Sequence, residues 1–329
     1  MGELQLPSSW GRRAPARALR IFQIFLIKSN FSGPSWSSRE LAEESRESRE
    51  SRDCRVAYNP RLPTMLTAHE FTSALLAVIA APDATRKDAL LATLTPPPAG
   101  STWELPPLPM RPGRDPGLRE GESPRRRHGL DHRQTRLRFL HAIWHIELTA
   151  IDLAALLCLR APGAPAQLHA DFLRIAREEA AHATLLGDLL TREGFPPGSA
   201  AVHHKLWESA LAAADLGEQL VVIPRFLEAR GLDVSAELLP RLISIDPPSH
   251  AVIARIYHDE IGHVGIGTHW HRWWCASNSI DPEVHFAKTV EHHFGPSLPS
   301  PFALDRPGRT TAGFTDQELM ILAEPPWRA

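Results

Sequence analysis

Two short stretches of the chain set a carboxylate and an imidazole at metal-ligand spacing. Glu179 and His182 stand three residues apart, and so do Glu260 and His263. On a helix, side chains at i and i+3 leave one face about a turn apart, close enough to share an ion. With 17 histidines in 329 residues, any glutamate has about a one-in-twenty chance of a histidine three positions on, so a single match says little. Both matches, however, fall in phase with an apolar stripe. One stripe reads Leu168, Phe172, Ile175, Glu179, His182, Leu186, Leu189; the other reads Ile253, Ile256, Glu260, His263, Gly267, Trp270.

A third stripe, Leu137, Leu140, Trp144, Glu147, Ile151, Ala154, Cys158, carries Glu147 at its middle. Carboxylates on a core-facing stripe are costly unless protonated, paired with cations or bound to metal. No Lys or Arg lies on these stripe segments, so metal is the simplest resolution. A dinuclear carboxylate centre in a helix bundle uses two Glu-x-x-His pairs and one further Glu from each of two other helices.

Four helices are expected to position these groups, read from apolar periodicity and Pro/Gly stops. Helix A spans about 132–159, ahead of Pro162 and Gly163. Helix B spans about 166–193, ahead of Gly194, Pro196 and Pro197. Helix C spans about 203–230 and stops at Gly231. Helix D spans about 249–277, with Ser249 as cap. Glu147 lies 12 residues before the end of helix A and Glu179 lies 13 after the start of helix B, so an antiparallel hairpin sets them level. In helix C, Glu228 is in phase with the small-residue stripe Ala210, Ala214, Gly217, Val221, Pro224. Glu218 is better centred but flanks it. Pro224 is expected to bend helix C and turn the Glu228 carboxylate inward.

The flanks have other characters. Residues 1–64 are Arg- and Ser-rich and poor in acids before Glu40. They read as an organelle-targeting segment, an extension, or upstream sequence before a start at Met65. Residues 65–131 hold two short helices broken at Pro82, the second capped by Asp83, then a Pro/Arg-rich segment expected to wrap the folded body. Residues 278–329 read as an irregular tail on the bundle, with a short helix near Thr315 to Leu322.

The residues resemble a family of ferritin-like proteins catalogued as domain of unknown function 455. The resemblance rests on His141 to Leu153 (HAIWHIELTAIDL), Glu178 to His182 (EEAAH), Val222 to Val234 (VIPRFLEARGLDV) and Asp259 to Gly267 (DEIGHVGIG), in that order, and covers about Thr67 to Leu322. It implies an all-α, ferritin-like four-helix bundle with Glu147, Glu179, His182, Glu228, Glu260 and His263 as metal ligands, and it favours Glu228 over Glu218. It supplies no activity.

Four carboxylates and two neutral imidazoles carry a charge that two divalent ions cancel, and such donors suit iron first and manganese next. The leading expectation is an oxygen-dependent oxidase or hydroxylase of a small molecule, drawing on an electron donor where the substrate does not supply the electrons. Metal storage, a purely structural bundle, and hydroxylation of a modified tRNA base are the alternatives. The last would need a basic rim, for which Arg111, Arg114, Arg125, Arg126 and Arg127 are the candidates. With 36 basic and 38 acidic residues, no global field favours nucleic acid or a membrane surface. No apolar run approaches a membrane span, and three scattered cysteines read as reduced thiols of an intracellular protein. Among the remaining polar residues, His141 and His145 read as a partly exposed pair. Asp152 and Asp259 could hold ligating imidazoles, with Asp259 expected to point elsewhere. His269 and His271 read as part of a packed aromatic helix end, and His292 and His293 as solvated.

Overall fold

The computed structural model describes residues 66–121, 129–295, 298, 300 and 302–328. Residues 1–64 and the arginines 125–127 lie outside them. The described residues are all-α, with an isolated parallel bridge between Glu120 and Val202 as their β-type pairing.

The second N-terminal helix begins at its expected cap, and the first shows a cap of its own. Helix α1 (Ala68–Ala80) opens with a capping box between Thr67 and Glu70, and α2 (Ala84–Leu91) is capped by Asp83. The segment after α2 runs extended over the body. Trp103 donates its indole N–H to the Leu159 carbonyl, and the Gly113 N–H bonds Ile79.

Helices α3 (Arg133–Leu159) and α4 (Ala166–Arg192) form a hairpin that is the most extensive helix pair. Helix α8 (Pro247–Ser277) starts two residues earlier than expected, because Asp246 caps it by accepting from the Ser249 N–H. The Asp246 carboxylate also holds Arg136 of α3 at 2.7 Å, pinning this corner to the first hairpin.

Expected helix C is where sequence and structure part. It divides into α5 (Lys205–Ala212), a break at 213–215, α6 (Leu216–Leu220), a π-helical segment (Val221–Glu228) and α7 (Ala229–Ile245). Gly231 does not stop it. A glycine costs a helix roughly 1 kcal/mol, less than what α7 gains by burying Leu232, Val234, Leu238 and Leu242. Pro224 lies inside the π segment. Proline lacks the N–H of an α turn and clashes with the carbonyl four residues back, which a wider turn relieves. Opposite it stands Gly267 of α8, where an added Cβ would meet the Pro224 ring at 2.3 Å.

The tail has the short helix expected near Thr315 to Leu322, but the rest of it is not irregular. It folds into α9 (Pro282–Phe294), α10 (Arg306–Thr311) and α11 (Asp316–Ala323). Two buried arginines explain its order. Arg225 of the π segment pairs with Glu318 of α11 at 2.6 Å, and Arg309 of α10 grips Asp233 of α7 through two hydrogen bonds. Neither charge could stay buried without a partner.

Among the described residues one helix, α3, is long and apolar enough to cross a membrane: an 18-residue window has mean hydropathy 1.7. The expectation that no run approaches a span is corrected to that extent. The window is 83% buried within the protein, so its apolar character serves the core.

Candidate metal centre

Helix α3 brings Glu147, α4 brings Glu179 and His182, the end of the π segment brings Glu228, and α8 brings Glu260 and His263. Ligand atoms of Glu147, Glu179, His182 and Glu260 all lie within 4.8 Å of one another. His263 Nδ1 is 2.9 Å from Glu179 Oε1 and 3.7 Å from Glu260 Oε1. His182 Nδ1 is 3.3 Å from an oxygen of Glu147 and equally far from one of Glu179. Glu228 keeps some exposure as a residue, but its Oε2 is shut off from solvent and it lines the same cavity as Glu147 and Glu260. Glu218 is elsewhere, accepting from the Ala214 N–H and bonded to His293.

The polar atoms here are unsatisfied. Glu147 Oε2, Glu179 Oε1, Glu228 Oε2, Glu260 Oε2 and His263 Nδ1 are buried without a well-formed hydrogen bond. Among the described residues, no Lys or Arg makes an ion pair with any of the four glutamates. Such a concentration of orphaned donors and acceptors is costly as it stands.

The electrostatics record the same tension. Burial, reinforced by the neighbouring carboxylates, pushes Glu147 and Glu228 well above the usual carboxylate range and raises Glu260 too. Burial also opposes ionisation of Glu179, but His263 and His182 outweigh it and hold its pKa low. Burial disfavours charge on His182, yet Glu147 and Glu179 lift it to about 11. His263 is likewise held well above its ordinary value, mainly by Glu179 and Glu260 against burial.

The outer nitrogens of the two imidazoles are held by acids that the sequence reading did not select. His182 Nε2 lies 3.1 Å from Asp259, and His263 Nε2 lies 2.7 Å from Glu178. Each acid is steadied by an arginine four residues earlier, Arg255 for Asp259 and Arg174 for Glu178. The expectation that Asp259 points elsewhere is therefore wrong: it crosses from α8 to the histidine of α4, while Glu178 crosses the other way. The signal was in the sequence. Arg174 to His182 reads RIAREEAAH and Arg255 to His263 reads RIYHDEIGH, a shared Arg-Ile-x-x-acid-Glu-x-x-His. A carboxylate accepting from Nε2–H fixes the tautomer that leaves the Nδ1 lone pair facing inward.

The other polar expectations fare variously. His141 and His145 are buried, not partly exposed: Gly198 donates its N–H to His141, and Arg114 with His203 and His204 closes over His145. These covers come from distant segments, which helix periodicity does not register. Asp152 meets no ligating imidazole; Lys87 and Arg114 hold it at 2.7 and 2.8 Å. His293 is half-buried against Glu218, whereas His292 is exposed. His271, Cys275 and His285 form a second cluster. There the Arg225 guanidinium donates to His271 Nδ1 at 2.9 Å, so the neutral ring keeps its proton on Nε2, facing His285. That nitrogen then has no lone pair for a metal.

Residues 69–320 match the family model described as Protein of unknown function (DUF455). A protein of Haemophilus influenzae (strain ATCC 51907 / DSM 11121 / KW20 / Rd), described as an uncharacterized protein, is 35% identical over 190 residues. The match covers 55% of this chain and 65% of that relative, so the chain spans just under two thirds of its length. No solved structure matches the chain. The family match covers most of the sequence, and the chain belongs to that family.

Proposed function

We propose that this family member is a ferritin-like four-helix protein holding two divalent metal ions, iron or manganese, and that it serves as an oxygen-dependent oxidase or hydroxylase of a small molecule. The observation that carries the reading is the set of buried, unsatisfied carboxylate and imidazole atoms turned toward one another from four helical segments. Hard carboxylates with two imidazoles fit these ions, and two divalent charges balance four glutamates. The α3–α4 hairpin, with α8 packed on α4 and on the π–α7 run, supports the bundle reading.

In this reading His182 and His263 would each hold one ion through Nδ1, with Glu147, Glu179, Glu228 and Glu260 as the carboxylate ligands. Bound iron would supply the capacity to react with oxygen. The chain's own residues do the rest. Asp259 and Glu178 orient the two imidazoles by accepting hydrogen bonds from their Nε2–H groups. Protons held in the metal-free state by His182, His263 and the raised glutamates must leave as metal enters. The buried walls keep bulk water out. Hydroxylation inserts one oxygen atom of O2 into a C–H bond and releases the other as water, so it needs two electrons and two protons from a separate donor.

The RNA alternative loses part of its footing. Arg114 is committed to Asp152, Thr149 and Gly113, and Arg111 pairs with Glu120. Metal content of the full chain, after anaerobic reconstitution with iron(II) or manganese(II), tests the reading. About two ions per chain are expected, lost in Glu179→Ala and His263→Ala. No bound metal in the wild type would overturn it.

A further inference from the structure

We infer that the cavity beside the carboxylate centre admits the short, uncharged alkyl end of a small molecule, methyl first, so that its last C–H bonds face the glutamates. The inference deepens the proposed function and rests on it in one respect: the alkyl group is a substrate only if the centre holds metal.

The cavity joins solvent to the centre. Of its walls, Ile143, Ile146, Leu227 and Gly231 keep some exposure, whereas Phe226 and Ile253 are buried. The first group therefore marks the mouth and the second the interior. Glu147, Glu228 and Glu260 reach the same space, and the Oε2 of each is buried without a well-formed hydrogen bond. His182 and His263 do not line it. A ligand in this cavity would thus meet the metals from the side the glutamates occupy. The volume is about 70 Å³, room for about five water-sized positions and so for a chain of roughly four carbons.

The walls select against a charged occupant. Among the described residues that line the cavity, Arg230 is the one Lys or Arg, and it is already engaged within the protein. The Phe226 ring lies 5.9 Å from its guanidinium carbon, the Asp233 charge acts on it, and Glu228 stands two residues before it on the same wall. Two divalent ions balancing four glutamates would leave the inner end without net charge. An ion drawn into such a space would lose its hydration and gain no partner. Ser235 adds a single hydroxyl to the lining, too little to replace that hydration. Alkyl carbons, in contrast, gain about fourfold in affinity for each CH2 taken out of water. Any polar group of the ligand is best left at the mouth, where water reaches it. An added Cβ at Gly231 would meet no atom within 4 Å, so the mouth is open there and a larger side chain would narrow it.

The test uses full-length protein and straight-chain 1-alkanols from ethanol to 1-octanol, with butyrate and butylamine as charged counterparts of 1-butanol. Proton relaxation of these ligands in manganese(II)-loaded protein reads affinity and orientation together, with metal content measured on the same samples. Affinity should rise about fourfold per added CH2 up to about four carbons and then level off. Butyrate and butylamine should bind at least tenfold more weakly than 1-butanol. The methyl protons of bound 1-butanol should relax faster than its C1 protons, because they lie nearer the metals. Gly231→Leu should weaken 1-butanol at least tenfold with metal content and circular dichroism unchanged. Butyrate or butylamine binding as tightly as 1-butanol, a reversed relaxation gradient, or full binding by Gly231→Leu would overturn the inference. If the wild type takes up no manganese, saturation transfer from metal-free protein to 1-butanol, lost in Gly231→Leu, would keep the cavity assignment while the metal reading fell. Manganese uptake without 1-butanol binding would sink the cavity assignment and leave the metal reading standing.

Discussion

The crossed acids give the sharpest handle on the centre. Asp259 Oδ2 lies 3.1 Å from His182 Nε2 and also takes a 2.6 Å hydrogen bond from Arg255, so it is a fixed acceptor. Asp259→Ala removes the group that orients the ring and sets its tautomer, without touching any proposed ligand. Losing such a partner costs roughly 10–100-fold in metal affinity, or about 1.4–2.7 kcal/mol. Asp259→Asn keeps an oxygen that can accept from both His182 and Arg255 but loses the charge, so it should fall near the lower end, about tenfold. The effect should be unequal between the two ions, because His182 serves one and His263 the other. Anaerobic titration against a chromophoric chelator resolves the two affinities. Glu178→Ala should weaken the opposite ion, since its partner is His263. Unchanged affinity for both ions in Asp259→Ala and Glu178→Ala, with native circular dichroism, would refute the reasoning that these acids position ligands.

Glu228→Leu should invert in sign with metal. Removing a buried carboxylate whose Oε2 has no partner is expected to stabilise the metal-free protein by about 1–3 kcal/mol. The same change should lower metal affinity and erase the thermal shift that metal gives the wild type. Urea melts with and without manganese(II) check both halves, and a destabilised metal-free variant would contradict the first. Gly267→Ala should destabilise by about 1–3 kcal/mol, against the usual helix preference for alanine, because its methyl would sit 2.3 Å from the Pro224 ring; a raised melting temperature would show that this crossing can relax. Acid should destabilise the fold through His141 and His169, both pushed by burial down to about 4. Below an ordinary value near 6.5 the unfolded chain takes up protons that the folded one refuses, so stability falls as pH drops from about 6.5 to about 4 and this contribution then levels off. Melts of wild type and His141→Gln across that range should differ in slope, and parallel curves would exclude His141 as a contributor.

What the sequence determined by itself is whatever repeats along one helix. Apolar residues at steps of three and four placed α3, α4 and α8 within a few residues of their ends. The same phase set Glu147, Glu179, His182, Glu260 and His263 facing inward, where the structure brings them together. Asp83 announced the second helix because a cap is a contact within four residues. Tertiary structure decided what depends on a neighbour distant in sequence. The π turn at Pro224 and the passage through Gly231 follow from packing against α8 and burial of the α7 leucines, which outweigh local propensity. The helices of the tail form because Arg225 and Arg309 need partners once buried, and those partners lie some 75 to 95 residues away. His141 and His145 look half-exposed on a helical wheel and are buried only because other segments close over them. The repeated Arg-Ile-x-x-acid-Glu-x-x-His was legible as a pattern, but not that each acid serves the other motif's histidine. That exchange exists because α4 and α8 lie side by side, and periodicity along one helix carries no information about which helix stands next to it.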